Sequence, residues 1–437
     1  MRFRDLGVSA RGLRDGQGFI HVGAVSTGDS LSEPGKVRET FVALVLIGFF
    51  ARLSYGMART PLLALFARSL GASSAAIGLA VGMSTVTGIF FKAPAGTLSD
   101  IYGRRAALLA ATVIFGLMPF TYVLVNDYRL LVVIRFFHGF ATAIYGPVAM
   151  AVIMDVAGER KGELVGTFSS AGMLGGLLAA PLGGGLLRLL GDDDPSLAVF
   201  KQIYLIVGVL GSVSLCLVFL LWGRLPSRAS PEPPTLMGVM RKFREDVWAV
   251  ATDTQVLLTS SMEGVQNLTV GALEAFLPVY VTVTAGLTSF HAGVLWGVQL
   301  VVLMFTKPFM GRLSDRRGRK PMITAGMIIC LVAFILYPLT RDFVFLCCLT
   351  MVFGLGESMV TSSTAAMVAE QTKARGFGTS MGVFGSLWDV GHASGPILTG
   401  LLLSRLDYVP AFGFISLILL AATAIFQLFV KTAPKAA

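Results

Sequence analysis

Charged side chains are scarce in this sequence. Asp, Glu, Lys and Arg make up 14% of its 437 residues, whereas hydrophobic residues make up 54%. A soluble domain carries roughly a quarter of its residues as charges, and a soluble fold could not hide this much apolar surface from water. The composition therefore excludes an ordinary soluble domain and predicts an integral membrane protein.

Residues that build disulfide frameworks, metal sites or nucleotide-binding loops are also few. The four cysteines, Cys216, Cys330, Cys347 and Cys348, all fall in apolar segments. Their positions give neither a disulfide framework nor the spacing of a metal site. The sequence contains no Gly-Lys-Ser/Thr phosphate loop and no nucleophile–base pair. We therefore expect no metal, no cofactor, no direct use of ATP and no enzymatic activity.

The dominant feature that is present is a series of long apolar stretches. Each approaches or exceeds the roughly 20 residues that a membrane-spanning helix needs. In lipid every backbone N–H and C=O must be bonded internally, so these stretches are predicted to be helices. Twelve spans are predicted, near 41–66, 75–95, 106–125, 130–151, 164–190, 202–222, 255–282, 290–311, 322–340, 343–367, 377–403 and 409–430.

The second half of the chain repeats the first. Residues 96–105 (GTLSDIYGRR) recur as residues 311–320 (GRLSDRRGRK), at an offset of 215 residues. The same offset aligns Lys92 with Lys307 and continues far beyond this motif. A repeat of this length indicates two homologous halves. The predicted fold is all-α, with twelve transmembrane helices in two homologous six-helix halves.

Basic residues are distributed unequally between the two sides of this predicted bundle. With both termini on one side, that side holds 24 Lys and Arg and the other side holds six. The positive-inside rule then places both termini in the cytoplasm. The net charge of +10 mostly reflects this asymmetry, so it does not indicate nucleic-acid binding.

Five segments follow from these boundaries: a tail (1–40), the first half (41–222), a linker (223–252), the second half (253–430) and a short tail (431–437). The first tail has neither a signal-peptide core nor the acid-poor composition of a transit peptide. A disordered cytoplasmic tail is therefore expected, and a misplaced start codon is the alternative. The linker begins Pro- and Ser-rich and ends in an amphipathic helix expected on the cytoplasmic leaflet.

The repeated turn has a defined pattern of a glycine, an acid four residues later, then another glycine and paired basic residues. On this pattern the chain resembles the major facilitator superfamily over roughly residues 40–430. The resemblance implies a cytoplasmic contact between helices that holds this side shut and breaks during transport. The alternative is that the charges only enforce topology. The residues concerned are Gly96, Asp100, Gly103, Arg104 and Arg105, and Gly311, Asp315, Gly318, Arg319 and Lys320.

A second pattern of this family is an arginine three residues before a polar side chain that is followed by glycine. Here it is Arg135, His138 and Gly139 in the fourth span. The resemblance links the arginine to proton transfer, and a buried arginine is costly unless it is paired. The alternatives are that Arg135 reaches water at the outer membrane face and that His138 is a packed polar residue.

A third pattern, in the fifth span, resembles the antiporter motif of the superfamily, with Ala180 in place of one glycine. The eleventh span carries a near-copy. Small residues at this spacing allow close helix packing, and the proline bends the helix. The motif favours antiport, and tight packing without any bearing on direction is the alternative. The residues are Gly176, Pro181, Gly184 and Gly185, and Gly391, Gly395, Pro396 and Gly400.

Ionisable and polar residues inside the spans give the predicted substrate and proton-coupling site. Polar groups facing lipid are costly, and the resemblance implies that spans one, four, seven and ten line the central cavity. Cavity-facing positions are therefore expected for most of them. The candidates are Arg52, Tyr55 and Arg59 in span one, Arg135 and His138 in span four, Glu263, Gln266, Asn267 and Glu274 in span seven, Glu357 in span ten, and Asp389 and His392 in span eleven.

Three uses of these charges compete. The acids can carry a coupling proton whose affinity changes as an arginine approaches. Arg52 and Arg59 can instead bind an anionic substrate. Some charges can form ion pairs between the halves that stabilise one conformation. In the repeat register Arg59 corresponds to Glu274, which makes Glu274 the first candidate for the proton carrier.

The predicted function is proton-coupled antiport that exports a small solute or ion across a bacterial inner membrane, with a substrate site near the midplane between the halves. Uptake of a small solute by a symporter or facilitator is the alternative within the same class, and Arg52 and Arg59 suggest an anion as that solute. A transporter-like receptor or assembly factor, with a protein partner at residues 1–40, is the rival from another class. The partners expected are the solute and the lipid bilayer.

Overall fold

Helices account for almost all of the structure. The computed structural model describes residues 34–156, 161–191, 195–223, 253–372 and 377–430, and single residues between 235 and 248. The predictions for the first 33 residues, for residues 431–437 and for the side chain of Asp100 lie outside the described residues, as does most of the linker. Within the linker, the described residues 237, 238, 241, 244, 245 and 248 are helical.

In the described part of the chain, seven α-helices form the first half and six form the second. The first span consists of two helices, because Pro61 ends the hydrogen-bond pattern between them. The first half contains α1 (Pro34–Arg59), α2 (Leu62–Ser69), α3 (Ser74–Tyr102), α4 (Arg104–Thr121), α5 (Tyr128–Val156), α6 (Lys161–Gly191) and α7 (Leu197–Leu220). The second half contains α8 (Thr254–Val279), α9 (Ser289–Arg317), α10 (Arg319–Leu336), α11 (Phe343–Gln371), α12 (Phe377–Leu403) and α13 (Tyr408–Phe429).

The fold class predicted from the sequence is confirmed. Eleven spans in the described part of the chain are long and apolar enough to cross a membrane. The remaining long helix, α12, brings the number to the predicted twelve. Asp389 and His392 make α12 more polar than its neighbours. Several helices extend beyond their predicted spans. α1 begins at Pro34, inside the segment predicted as a tail, and α3 ends at Tyr102 instead of near residue 95.

Contacts at the helix ends show that successive spans run in opposite directions. Arg104 at the start of α4 donates a hydrogen bond to Asp155 at the end of α5 (3.3 Å). Tyr280, just after α8, donates one to the Thr340 carbonyl, which follows α10 (2.8 Å). The face that carries the turns at Gly103 and Gly318 is called the basic face below, and the other is called the opposite face. Both glycines have positive φ values, 93° and 99°, which glycine adopts readily.

The two halves pack closely at glycines, which have no side chain to keep the backbones apart. A Cβ atom on Gly184 of α6 would lie 2.3 Å from the Ser289 carbonyl oxygen of α9. A Cβ atom on Gly78 of α3 would lie 2.1 Å from the Pro396 carbonyl oxygen of α12. Both contacts lie toward the opposite face, so the backbones of the two halves touch there.

A third close crossing lies inside the second half and gives a prediction about stability. A Cβ atom on Gly391 would lie 1.8 Å from the Gly264 carbonyl oxygen of α8. Gly391→Ala must therefore push α12 away from α8, and overpacking of this kind costs about 1–3 kcal/mol. We expect a lower Tm in detergent. Gly382 on the same helix has open space around it, so Gly382→Ala should leave Tm unchanged or raise it. Equal Tm values for the two variants would contradict the packing account.

Candidate functional site

Glu274 lies at the centre of a polar junction between the halves. Its side chain is buried and forms an ion pair with Arg59 of α1. The Thr60 hydroxyl donates a hydrogen bond to Glu274 Oε1 (2.9 Å), and His392 Nε2 of α12 lies 3.0 Å from Glu274 Oε2. Arg59 Nη2 also lies 2.8 Å from His392 Nε2. Residues from both halves thus share one buried carboxylate.

The junction lies in the part of the bundle nearer the opposite face. Arg59 and Thr60 are at the end of α1, and Glu274 is near the end of α8. The close crossings at Gly184 and Gly78 lie on the same side of the bundle. The junction and these crossings together close the opposite face in this conformation.

A second ion pair joins the halves closer to the basic face. Lys92 Nζ of α3 donates hydrogen bonds to both Asp389 oxygens of α12 (2.7 and 2.6 Å). Lys92 also lies 5.8 Å from the centre of the Trp388 ring, and Trp388 stacks on His392. Because His392 contacts Glu274, the two ion pairs are connected through neighbouring residues of α12.

Arg135 is fully buried within the first half, so the interpretation that it reaches water at the membrane face is wrong. Its guanidinium donates hydrogen bonds to Ser84 (2.6 Å) and to the Tyr122 hydroxyl (3.4 Å) and lies 5.4 Å from the centre of the Tyr55 ring. The same hydroxyl lies 3.0 Å from His138 Nδ1. His138 is therefore a packed polar residue in this conformation.

The other two acids are bonded within the second half. The Thr364 hydroxyl donates a hydrogen bond to Glu263 Oε2 (2.7 Å), and the Gln299 amide donates one to Glu357 Oε2 (2.8 Å). Both carboxyl groups are buried. Asn267 donates to the Glu263 backbone carbonyl (2.9 Å), whereas the buried side-chain amide of Gln266 has no hydrogen-bond partner among the described residues.

A cavity of about 470 Å³ lies between the halves, on the basic-face side of the close crossings. Arg52 is the candidate charge that lines it. Arg59, Glu263, Glu274 and Glu357 were also expected to face a cavity but do not line this one, because each is held in the packed contacts described above. The cavity is lined by Gly48, Arg52, Tyr145, Gly146, Met150, Phe168, Ser169, Gly172, Met173, Gly176, Leu177, Leu300 and Met304.

The signature turns contact their own halves at the basic face. Arg319 bridges Asp315 (2.5 Å) and Glu370 (2.8 Å), and Lys320 donates a hydrogen bond to the Val430 carbonyl (2.7 Å). In the first half Arg104 pairs with Asp155, and Arg105 lies over the Trp222 ring. Gly96 and Gly311 face α5 and α11. The predicted contact across the basic face stays a prediction.

The small-residue motif lies mostly at helix crossings. Pro181 packs against Gly293 and Gly297 of α9, and Gly185 faces Phe290. Gly395 packs against the Leu268 carbonyl. A Cβ atom on Gly400 would lie 2.5 Å from the Ser74 carbonyl oxygen of α3, which is another contact between halves. Gly176, by contrast, lines the cavity.

Several polar partners of the candidates were not predicted from the sequence, including Thr60, Ser84 and Gln299. For Tyr122 a signal existed in the repeat. It is equivalent to Tyr337, and both begin short 3-10 turns. Tyr337 donates a hydrogen bond to Thr350 (3.0 Å), the repeat equivalent of Arg135, so each half couples the same two positions. Among the described residues no group of three His, Cys, Asp or Glu side chains could hold a metal ion.

Comparison with known proteins agrees with this architecture. The family model described as Major Facilitator Superfamily matches residues 44–306 and 265–437 of this chain. The chain belongs to this superfamily. It is therefore a secondary transporter that works by alternating access, and it is not an enzyme.

The similar proteins are distant in sequence. An uncharacterized MFS-type transporter of Methanocaldococcus jannaschii is 24% identical over 86% of this chain and 92% of its own length. A multi-drug resistance efflux pump PmrA homolog of Lactococcus lactis is 22% identical over 82% of this chain and 87% of its own length. The crystal structure of a nucleoside transporter NupG mutant has a TM-score of 0.74 at 14% identity, covering 90% of this chain and 100% of that one.

Proposed function

We propose that this protein is a proton-coupled antiporter that exports a small organic solute across a bacterial inner membrane. The observation that supports this proposal best is the Glu274 junction. A single buried carboxylate joins α1, α8 and α12, so its charge state and the closure of the opposite face depend on the same contacts.

The junction offers a physical route for coupling. The Arg59–Glu274 pair crosses between the halves, so opening the opposite face must separate the two side chains. A carboxylate that loses a neighbouring cation in a poorly solvated site takes up a proton more readily. A proton would thus be bound when the opposite face is open and released when Arg59 returns. This order of binding and release would move protons from the opposite face toward the basic face.

The proposed orientation follows from the distribution of basic residues. The basic face contains the Lys- and Arg-rich side of the chain, 24 residues against six, and the positive-inside rule assigns that side to the cytoplasm. Both termini would then be cytoplasmic. Protons would move inward, in the direction that drives export of a solute by antiport.

Export is supported by the small-residue motif of α6 and by the similarity to a protein named as an efflux pump. Uptake of a small anion is the second candidate, because Arg52 lines the cavity. A receptor or assembly role through residues 1–40 is the rival proposal, and it predicts no solute flux.

The sign of the pH dependence distinguishes export from uptake. Purified protein in proteoliposomes would be tested with a panel of organic solutes and an imposed pH gradient. Antiport predicts that an acidic lumen drives solute accumulation and that the lumen becomes more alkaline when solute is added. A proton ionophore should abolish both effects. Accumulation driven instead by an acidic exterior would support uptake with protons, and flux that is indifferent to the ionophore would contradict proton coupling.

A further inference from the structure

We infer that the cavity beside Arg52 binds an amphiphilic organic anion, with an acidic group at Arg52 and an apolar body against the methionine and aromatic side chains. This inference rests on the proposed transport function, whose solute class it specifies. It depends on the cavity wall and not on the Glu274 junction.

The first step is the position of the arginine. Arg52 of α1 is exposed to the cavity, and its aliphatic part lies against α6. A Cβ atom on Gly172 would lie 3.6 Å from Arg52 Cγ, and one on Gly175 would lie 3.3 Å from Arg52 Cβ. Gly175 lets α1 and α6 approach closely beside the arginine, because a Cβ atom there would also lie 2.5 Å from the Phe49 carbonyl oxygen.

The second step is the lack of a counter-ion. None of the lining residues is an acid, and Arg52 forms no ion pair with any residue in the part of the chain that the structure describes. Arg59 and Lys92, by contrast, each have an acid partner from the other half. A cation within the membrane is costly unless it is paired or solvated, so an anionic ligand would complete this site.

The third step is the set of hydrogen-bond donors around the arginine. The Tyr145 hydroxyl is buried, lines the cavity and has no partner among the described residues. Ser169 supplies a second hydroxyl. A guanidinium with two hydroxyl groups can donate several hydrogen bonds to one carboxylate, sulfonate or phosphate.

The fourth step is the rest of the wall. Met150, Met173 and Met304 line the cavity together with Phe168 and Leu300. Methionine side chains adapt to apolar ligands of different shape. The cavity volume, about 470 Å³, is within the range of sites for small organic molecules, roughly 300–1,000 Å³. The wall therefore favours an organic anion over a small inorganic one.

Two probes of nearly equal shape test the assignment. Naphthalene-2-sulfonate carries a negative charge, whereas naphthalene-2-sulfonamide is neutral at pH 7. Equilibrium dialysis against the full-length protein in nanodiscs would compare their affinities without any pH gradient. We expect about tenfold or stronger binding of the sulfonate, because hydrogen bonds to charged groups contribute more than neutral ones.

Variants identify the responsible residue. Arg52→Gln should remove the preference for the sulfonate, and Arg52→Lys should keep part of it. Arg341, an exposed cation near the opposite face, is the matched control, and Arg341→Gln should keep the whole preference. Absence of saturable sulfonate binding, equal affinity for both probes, or an unchanged preference in Arg52→Gln would overturn the inference.

The outcome is separable from that of the proposed function. Dialysis at equilibrium does not depend on proton coupling. Arg52-dependent sulfonate binding without any pH-driven flux would contradict the antiport proposal and leave this site standing. Proton-driven antiport in a protein without an Arg52-dependent preference would support the antiport proposal and contradict this binding site.

Discussion

Glu274→Gln is expected to abolish solute flux driven by a pH gradient, while solute exchange without a gradient remains. The substitution keeps the size of the side chain but removes its charge, so the ion pair with Arg59 is lost. Glutamine cannot bind and release a proton at this position, so proton movement is no longer coupled to solute movement. Proteoliposomes with an acidic lumen should therefore accumulate no more solute than vesicles without a gradient.

Glu263→Gln is the matched control for this result. Glu263 is also a buried acid of α8, but its partners Thr364 and Asn267 belong to its own half. Its neutralisation should leave the response to the pH gradient largely intact. A full response in Glu274→Gln would show that the proton carrier lies elsewhere. If Glu263→Gln and Glu357→Gln also kept the full response, Asp389 would be the next candidate.

Lys92→Gln should clearly destabilise the interface between the halves. The side chain of Asp389 is only 4% exposed, whereas that of Lys92 is 40% exposed. Removing the lysine leaves a buried carboxylate without its cation, which costs about 3–5 kcal/mol when both partners are buried and less here, because Lys92 is partly exposed. Asp389→Asn leaves a lysine that can reach water, so the cost should be smaller. Tm measurements in detergent would show this asymmetry.

Two further variants make this prediction strict. The double variant Lys92→Gln/Asp389→Asn should recover most of the stability lost in Lys92→Gln, because no uncompensated charge remains. Lys307 is the repeat equivalent of Lys92. It lies near the buried Glu263 and Glu357 but forms no ion pair with a described residue, so Lys307→Gln should lower Tm less than Lys92→Gln. Equal losses in Lys92→Gln and Lys307→Gln would contradict the role given to Asp389.

The repeat explains how much of the fold could be predicted from the sequence. The lengths of the apolar stretches predicted the number of spans, and the 215-residue repeat offset predicted two homologous halves. Boundaries were less certain, because polar residues such as Glu39 can continue a helix beyond the membrane. The start of α1 at Pro34 is an example. Nothing in its composition distinguishes a helical extension from a tail.

The contacts of the site were only partly predictable. Arg59 and Glu274 occupy equivalent positions of the repeat, and equivalent helices of the two halves can meet at the interface. This register drew attention to Glu274. Lys92 and Asp389 do not correspond, since Lys92 aligns with Lys307 and Asp389 aligns with Leu174. Their contact follows from how α3 crosses α12, which depends on backbone approach at Gly78 and Gly82.

The central claim is that the charge of Glu274 holds the opposite face closed. Leu124 and Leu339 are suitable for testing it, because they are repeat equivalents near that face in different halves and are 69% and 61% exposed. Spin labels on cysteines at these two positions would report the separation of the halves. Labels at Tyr102 and Arg317, which are exposed at the basic face, would report the other end.

The most direct measurement is the distribution of label distances by pulsed electron paramagnetic resonance, in the labelled protein with and without Glu274→Gln. With Glu274 present, the Leu124–Leu339 distribution should be dominated by the short distance of the closed face. Glu274→Gln should add a longer component there and a shorter one at the basic face. Identical distributions for the two proteins at both faces would contradict the account.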